Sequence, residues 1–496
     1  MSLRLPFRTF VLITSVFSLV ACAAGPDFAT PEINNAPAYD QTPLTEGTAS
    51  SPIFLGKQQR FSTTATIPAA WWHMFQSPTL NLLVAQTIRA NPSLEAAQAA
   101  LRSAQETAKA SYSGFLPTLT GGTGATRGRS TLAATQPSSL YESAVGLTYV
   151  PDVFGATRRT VENLEALTEI KRFELEATRL SLTTNIALAA FQEASLRDQI
   201  AATEAIIQSD EESLDLLYKR FASGAIPEQT LLAQQSNLAS SRAALLPLEQ
   251  TLSQTRNMMA TLLGQFPDGG PNQGVHERVH LTDFTLPQDL PLSLPSSLIE
   301  QRPDVLAALA GLKAANAKIG IATAAMLPQI TLTGNYGIAS AKNLFTPTTA
   351  LWGLAAGLTQ PLFEGGKLLH EKRASEAAFD ESAATYRATV LAAFQNVADA
   401  LKALNISAKT LTQKTAAFRT ATQSVMLAKE QFTAGAISRL DVLNAEKTLH
   451  STRIELAAAQ GQRLIDTASL YQALGGGWWN QEQKTDKETN QKVLGK

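Results

Sequence analysis

The feature that most constrains the fold of this chain is an internal duplication. Similar short segments recur at a constant separation of 211 positions between its two halves. The matching segments are Asn91-Pro92 with Arg302-Pro303, Leu116-Pro117 with Leu327-Pro328, Gly146-Leu147-Thr148 with Gly357-Leu358-Thr359, and Leu263-Gly264 with Leu474-Gly475. Two unrelated Ala-rich helical regions would not keep one separation through segments of different periodicity. The chain therefore contains two copies of one structural unit, over about residues 90–265 and 301–475.

Each copy changes from helical to strand periodicity and back again. Residues 92–113 are Ala-rich with a proline at their start, which predicts a helix. The segments that follow alternate between apolar and small or polar residues, a period that predicts strands. The apolar members are Tyr141, Val145, Leu147 and Tyr149 in the first copy, and Ile330, Leu332, Tyr336, Ile338, Trp352, Leu354, Ala356 and Leu358 in the second.

This alternation has two interpretations. An antiparallel sheet in a soluble domain also has one apolar face. Gly and Thr on the second face favour instead a membrane barrel, with a water-filled lumen inside and the apolar face toward lipid. Four strands of about ten residues cannot close such a barrel, because the smallest ones need eight and an open edge cannot face lipid. Several chains are therefore expected to share one barrel.

Two very long helices are predicted after the strands, over residues 157–221 and 367–432, and neither contains a proline. At 1.5 Å per residue, such a helix is roughly 97 Å long. Helices of this length belong to a coiled coil or a tube. The return helix 227–263 supports this interpretation, because an apolar residue recurs at every seventh position, as in helix pairing. Those positions are Leu231, Leu238, Leu245, Leu252 and Met259, with Val442, Leu449, Leu456 and Leu470 in the second copy.

The turns between long and return helices lie at residues 220–227 and 431–438. A glycine, Gly224 or Gly435, is expected to end the first helix of each hairpin. Pro227 or Ser438 is expected to begin the next one. Helix capping alone explains these residues as a plain hairpin turn.

The amino terminus predicts export. Arg4 and Arg8 precede an apolar run over residues 10–21, which is too short to span a membrane, and Cys22 follows it. Cys22 is the only cysteine, and the segment 19–22 resembles a lipobox, in which the cysteine becomes the lipidated first residue. An ordinary signal peptide with an incidental cysteine is the alternative. Ala23, where an aspartate would favour the inner membrane, implies sorting to the outer membrane by the same resemblance.

The rest of the composition narrows the function. The formal net charge is −1 and 17% of residues are charged, with no block of Lys and Arg, so a nucleic-acid partner is not expected. No later apolar stretch of transmembrane length without charges, Gly or Pro is evident, so no helical membrane anchor is expected.

Several motifs together resemble the outer-membrane efflux protein family, the TolC-like ducts, in the lipoprotein branch that serves resistance-nodulation-division (RND) pumps. These motifs are Cys22-Ala23-Ala24-Gly25-Pro26-Asp27-Phe28, Trp71-Trp72-His73-Met74-Phe75, Asp152-Val153-Phe154-Gly155, Leu294-Pro295-Ser296-Ser297-Leu298, Arg302-Pro303-Asp304 and Gln360-Pro361-Leu362-Phe363. Gln301, Leu309 and Asn444 depart from the residues that are frequent in the family.

The resemblance implies a fold and a function. The fold is an internally duplicated α+β membrane protein with four strands and long helices per chain, forming a trimeric twelve-stranded barrel continued by a periplasmic helical barrel. The function is that of a passive outer-membrane channel of a tripartite efflux system, with a periplasmic adaptor and an inner-membrane RND pump as partners. The chain is expected not to be an enzyme and to bind no metal or cofactor, and selectivity in this family belongs mainly to the pump.

The resemblance also implies site residues. The adaptor would contact the hairpin turns, at Gly224, Ala225, Ile226, Gly435, Ala436 and Ile437. Leu440 and Asn444 match the positions that narrow the tunnel, and they lie four apart on one helix face. Ordinary packing between helices is the alternative role for this pair.

The expected organisation has six parts. They are a signal peptide at 1–21, a lipidated segment and part of an equatorial collar at 22–90, a first repeat at 91–264, an equatorial linker at 265–301, a second repeat at 302–475, and a tail at 476–496.

Two other functions would account for parts of the sequence. His276-Glu277-x-x-His280 matches a zinc-protease pattern, which needs a helix to place both histidines on one face. The surrounding glycines and prolines leave little room for that helix, and the alternation over residues 275–281 favours a short strand. A structural coiled-coil lipoprotein would explain the apolar heptads but leaves the strand pattern unexplained.

Overall fold

The computed structural model describes residues 23–31, 47–62, 65–128, 138–267, 279–292, 300–342 and 349–480. Two compact units are distinguished. The strand unit draws on segments 1–33, 99–173 and 307–388, and the helical unit on segments 34–98, 174–306 and 389–496. Each unit therefore contains parts of both sequence repeats.

The helices repeat in length between the two halves. Two helices of 67 residues, α3 (Ala156–Ala222) and α6 (Lys367–Thr433), are each followed by one of 35 residues, α4 (Glu228–Leu262) and α7 (Arg439–Ala473). The shorter helices are α1 (Pro78–Ala90), α2 (Pro92–Ser111) and α5 (Pro303–Ala324). These bounds confirm the predicted long and return helices to within two residues.

The strand unit holds a four-stranded antiparallel sheet in the order β2-β3-β5-β6. Its strands are β2 (Thr118–Gly128), β3 (Ser138–Tyr149), β5 (Gln329–Ser340) and β6 (Thr349–Thr359). Two hairpins, one from each repeat, pair through β3 and β5. The predicted strand pattern is thus confirmed, with two strands per repeat.

Helix α5 has the length and mean hydropathy of a membrane span. It carries Asp304, Lys313 and Lys318, so it is not an uninterrupted apolar stretch. Half of its most apolar window is nevertheless buried within the protein. Within the strand unit, Asn316 donates from its amide to the carbonyl of Pro26 at 3.0 Å, and the Lys313 ammonium lies 5.7 Å from the ring centre of Phe28. These contacts show that α5 packs against other residues of the strand unit. The apolar residues of α5 are largely alanines.

The core of the helical unit brings together three distant parts of the chain. A two-stranded parallel sheet pairs β1 (Arg60–Ser62) with β4 (Asp289–Pro291). Trp71 stacks on Tyr471 with ring centres 5.5 Å apart, and Phe191 packs against both Phe75 and Phe284 at 4.8 Å. Buried aromatic side chains contribute large apolar areas, so these contacts tie the amino-terminal segment and the linker to α3 and α7.

The predicted heptad positions form the inner face of the return helices. Leu231, Leu238 and Met259 are buried on α4, as are Val442 and Leu456 on α7. Pro247 lies inside α4 at an exposed position. The seven-residue repeat therefore marks the face along which the helices pack.

Candidate functional site

The four-stranded sheet has two chemically distinct faces. Register places Gly121, Val145, Tyr336 and Trp352 in one row across the sheet, and the large members of that row are exposed. The adjacent row, on the other face, consists of Thr120, Gly146, Asn335 and Gly353. One face thus offers aromatic and aliphatic side chains, whereas the other offers small and polar ones. Such a sheet can separate lipid from water.

Both edge strands of this sheet, β2 and β6, pair on one side only among the described residues. Each has 11 residues, so a long row of backbone donors and acceptors is available to another strand.

The residues that follow Cys22 are held on the strand unit. The Ala24 N–H donates to the carbonyl of Phe154 at 2.9 Å, and the Arg159 guanidinium donates to the carbonyl of Ala24 at 3.1 Å. Arg159 also pairs with Asp27 at 2.9 Å, and the hydrogen bonds to its acidic partners raise its pKa although burial opposes the rise. Cys22 itself lies outside the described residues.

Asp152 caps the first long helix. Its carboxylate accepts from the backbone N–H groups of Thr157 and Arg158, at 2.9 and 3.0 Å. A carboxylate at this position satisfies N–H groups that lack a partner within the helix and complements the helix dipole. The Asp152-Val153-Phe154-Gly155 motif therefore has a local structural reason.

The two hairpin turns have the same backbone geometry. Gly224 and Gly435 have φ values of +73° and +75°. The Ala225 N–H donates to the carbonyl of Arg220 at 2.9 Å, and the Ala436 N–H donates to that of Gln431 at 2.8 Å. This arrangement is a Schellman cap, in which a left-handed residue lets the chain leave the helix. The predicted roles of the two glycines as helix ends are confirmed, as are Pro227 and Ser438 as the starting caps of α4 and α7.

The candidate constriction residues lie in the first turns of α7. Asp441 accepts from the N–H and hydroxyl of Ser438 at 2.8 and 2.7 Å, and these bonds lower its pKa. Leu440 is half-buried, whereas Asn444, one turn later, is exposed. The capping bonds fix the first turn of α7. The side chain of Asn444, one turn later, is accessible to solvent.

A polar cluster that the sequence did not predict lies between α3, α4 and α7 in the helical unit. The buried carboxylate of Asp210 on α3 accepts from the Lys447 ammonium of α7 at 3.0 Å. It also accepts from the Ser241 hydroxyl at 2.6 Å and the Gln234 amide at 3.2 Å, both on α4. One carboxylate therefore links three helices. Asp210 is one of many acidic residues on a long helix, and no spacing marks it as buried.

A second set of ion pairs extends this link. Arg439 at the start of α7 pairs with Glu212 of α3 at 2.9 Å and with Glu446 at 3.7 Å. Glu446 in turn pairs with Lys429 of α6 at 2.9 Å. All these groups are at least partly solvated, so each ion pair contributes only modestly to stability. The network mainly fixes the positions of the paired helices relative to one another.

Comparison with known proteins gives independent evidence on the family of this chain. The family model described as outer membrane efflux protein matches residues 83–265 and 294–476, two ranges that are again 211 positions apart. The chain belongs to the outer membrane efflux protein family.

Two relatives and one solved structure illustrate the membership. The pyoverdine export outer membrane protein OpmQ of Pseudomonas aeruginosa is 30% identical over 427 residues, covering 83% of this chain and 88% of OpmQ. The probable outer membrane lipoprotein SilC of Salmonella typhimurium is 24% identical over 473 residues, covering 94% of this chain and 98% of SilC. The open-state structure of the Neisseria gonorrhoeae MtrE outer membrane channel superposes with a TM-score of 0.78 at 26% identity, over 92% of this chain and 99% of MtrE.

These similarities confirm the predicted family, the TolC-like fold with long helices and strands, the outer-membrane location and the function. This outer membrane efflux protein is a TolC-like channel component of a tripartite efflux system, located in the outer membrane and extending into the periplasm. Members of the family are channels, in agreement with a chain that is not an enzyme.

The zinc-protease alternative has no support among the relatives of this outer membrane efflux protein. His276 and Glu277 lie outside the described residues. His280 immediately precedes a three-residue 3₁₀ turn, Leu281–Asp283, so the expected strand does not extend to Leu281. The carboxylate of Asp283 accepts from the His280 N–H at 2.8 Å and fixes this turn. Within the described ranges, no three His, Cys, Asp or Glu side chains converge in a metal-binding arrangement.

Proposed function

We propose that three copies of this chain form the duct, each contributing four strands to a twelve-stranded barrel and its long helices to a periplasmic tunnel. The observation that carries the proposal is the sheet itself: four strands with an exposed apolar face and two long edges that are unpaired among the described residues. An open edge in lipid leaves backbone groups without hydrogen bonds, so closure by further copies is required. A ring of identical copies satisfies both edges by pairing β6 of one copy with β2 of the next.

Native mass spectrometry of the protein in mild detergent tests this stoichiometry. A stable mass of three chains is expected, with a heat-modifiable mobility on gels. A stable monomer that retains its strands would exclude the shared barrel and favour the structural lipoprotein.

The proposed partners are a periplasmic adaptor and an inner-membrane RND pump, and the proposed adaptor contact is at the hairpin turns. Gly224, Ala225 and Ile226 and their repeat counterparts Gly435, Ala436 and Ile437 would form that surface. Four of these six residues are exposed, and Ile226 and Ile437 are half-buried, which supports the assignment. Photocrosslinking from positions 225 and 436 in cells should capture one adaptor, whereas position 232, also exposed but on α4, should not.

The residues Leu440 and Asn444 are proposed to line the narrowest part of the tunnel. Threefold symmetry would turn each into a ring of three, apolar at Leu440 and neutral at Asn444. Leu440→Ala should raise single-channel conductance in planar bilayers, and Asn444→Asp should shift ion preference toward cations. Unchanged conductance and selectivity in two correctly assembled variants would assign the pair to packing between helices instead.

The remaining assignments follow the same proposal. Cys22 is proposed to carry the lipid, after removal of residues 1–21. Repeats at 91–264 and 302–475 are proposed as the duplicated unit, with collar segments at 22–90 and 265–301 and a tail at 476–496. The chain is proposed to have no catalytic activity and no cofactor, so purified protein should hydrolyse no peptide in a zinc-dependent way. Zinc-dependent hydrolysis that disappears in His276→Ala would reverse this assignment.

A further inference from the structure

Two exposed apolar patches lie at the same end of the sheet, on opposite edges. After β6, the side chains of Leu362 and Phe363 are 90% and 89% exposed. Beside the beginning of β2, Leu116 and Leu119 are 66% and 71% exposed. Because β2 starts where β6 ends, both patches lie at the end of the sheet from which the helices continue.

The first repeat covers its corresponding turn with its own chain. A separation of 211 residues relates Leu362 and Phe363 to Pro151 and Asp152. There, Ala23 and Ala24 approach the end of the turn, and the Ala24 N–H donates to the carbonyl of Phe154 at 2.9 Å. A Cβ added at Gly155 would lie 2.8 Å from the Cα of Ala23, so the approach is close. Among the described residues, nothing comparable covers Leu362 and Phe363.

The pairing inside the chain predicts which residues of a neighbouring copy would meet this turn. Where the two repeats join, Tyr149 of β3 is opposite Leu332 of β5. The repeat separation of 211 relates Tyr149 to Gln360 and Leu332 to Gly121. The same pairing between two copies would therefore place Gln360 of one copy opposite Gly121 of the next. Two residues further, Leu362 is then opposite Leu119. Residues directly opposite across antiparallel strands have Cβ atoms about 5 Å apart and lie on the same face.

We infer that Leu362 of one copy docks on Leu119 of the next copy, with Phe363 and Leu116 beside this contact, and so closes the helix-proximal end of each junction between copies. The inference rests on the proposed ring. A second copy is the occupant because both patches are apolar and lie on the two edges that are unpaired among the described residues. In addition, Leu362 lies opposite Leu119 when these edges pair in the register of the internal junction. The contact packs large apolar side chains against each other and covers a surface that each copy alone exposes.

Disulfide trapping tests the contact directly. Leu362→Cys combined with Leu119→Cys, in a Cys22→Ser background that leaves no other thiol, should give covalent dimers and trimers under mild oxidation. The matched control combines Leu362→Cys with Ala125→Cys, six residues further along β2 and about 20 Å away, and should give none. Equal crosslinking of both pairs, or none in the test pair while native mass spectrometry still gives a trimer, would overturn the docking and leave the ring intact. A monomer in the unsubstituted protein would remove the ring as well.

A second measurement does not depend on thiol geometry. The double variant Leu362→Asn with Phe363→Asn should raise the trimer dissociation constant about tenfold or more, because one buried Leu or Phe alone is worth such a factor. Leu147→Asn is the control, because Leu147 lies on the same face and at the same depth as Leu119 but on an inner strand of its own chain. A dissociation constant that rises no more than in this control would contradict the docking.

Discussion

At the scale of single residues, buried charges hold the hairpins together in ways that no local pattern indicates. Asp210 is buried, yet all its hydrogen-bond capacity is used by donors from two other helices. Arg463 is also buried, and desolvation lowers its pKa to about 10. Its guanidinium donates to the Thr48 hydroxyl and the Lys57 carbonyl, both at 3.0 Å, which ties the amino-terminal segment to α7. A buried charge persists only where such partners exist.

Removing the Asp210 carboxylate should loosen α4 and α7 from α3. Asp210→Ala leaves Lys447, Ser241 and Gln234 without their shared acceptor, and we expect local stability to fall by about 2 kcal/mol. Hydrogen exchange of the backbone amides in 228–245 and 440–455 would measure the loss. Asp215→Ala is the control, because its ion pair with Lys219 is exposed on the same helix and should contribute little. Equal protection in both variants would contradict the role of Asp210.

His450 should make the same region sensitive to acid. Burial lowers its pKa from 6.5, against a smaller opposing effect of Glu446, and Arg453 and Lys429 lower it further. The unfolded chain therefore takes up the proton first as the pH falls. The stability that neutral His450 contributes is present above pH 6.5 and is lost as the pH falls toward the lowered value in the folded protein.

The measurement is the pH dependence of hydrogen exchange around α7 between pH 7 and 5, corrected for intrinsic exchange. His450→Gln should flatten it, whereas His370→Gln, at an exposed position of α6, should not. An unchanged slope in His450→Gln would assign the acid sensitivity to other groups.

At the scale of elements, the helical hairpins end by the same device in both repeats. Gly224 and Gly435 adopt left-handed φ, and a Cβ built on either glycine would meet no atom within 4 Å. Their requirement for glycine is therefore one of backbone conformation and not of space. A side chain at positive φ is unfavourable for most residues, and Asn tolerates it better.

Substitution of these glycines should fray the hairpin turns. Gly224→Ala should cost about 1 kcal/mol, and Gly224→Asn clearly less. Limited proteolysis at residues 220–227 would report the fraying as faster cleavage in the alanine variant. Cleavage at the same rate in the two variants would mean that the turn does not depend on the left-handed conformation.

At the scale of the whole molecule, anchoring and insertion should be separable. The segment that follows Cys22 is tied to the strand unit by Arg159, and the sheet carries its own apolar face. Cys22→Ser should therefore abolish incorporation of labelled palmitate but leave the proposed trimers able to insert, because the proposed barrel would supply most of the apolar surface. Metabolic labelling and membrane fractionation of the two proteins measure both effects. Label retained by Cys22→Ser, or complete loss of the variant from the outer membrane, would contradict one half of this prediction.

Much of the fold could be predicted from the sequence because the features that determine it are local and occur in both repeats. The period of two placed the strands, the proline-free stretches and heptads placed the helices, and Gly224, Pro227 and Ser438 marked where helices end and begin. The motifs indicated the family, which the comparisons confirmed. The adaptor surface, the constriction at Leu440 and Asn444, and lipidation of Cys22 remain predictions.

Tertiary structure alone decided which residues of distant segments meet. The parallel pairing of β1 with β4, the stack of Trp71 on Tyr471, and the burial of Asp210 and Arg463 depend on contacts between residues far apart in the chain. Such contacts have no period and no fixed spacing, so a single sequence carries no signal for them. The apolar surface at Leu362 and Phe363 is of the same kind: their hydrophobicity is readable from the sequence, but only the folded chain reveals that the equivalent turn is covered and this one is exposed.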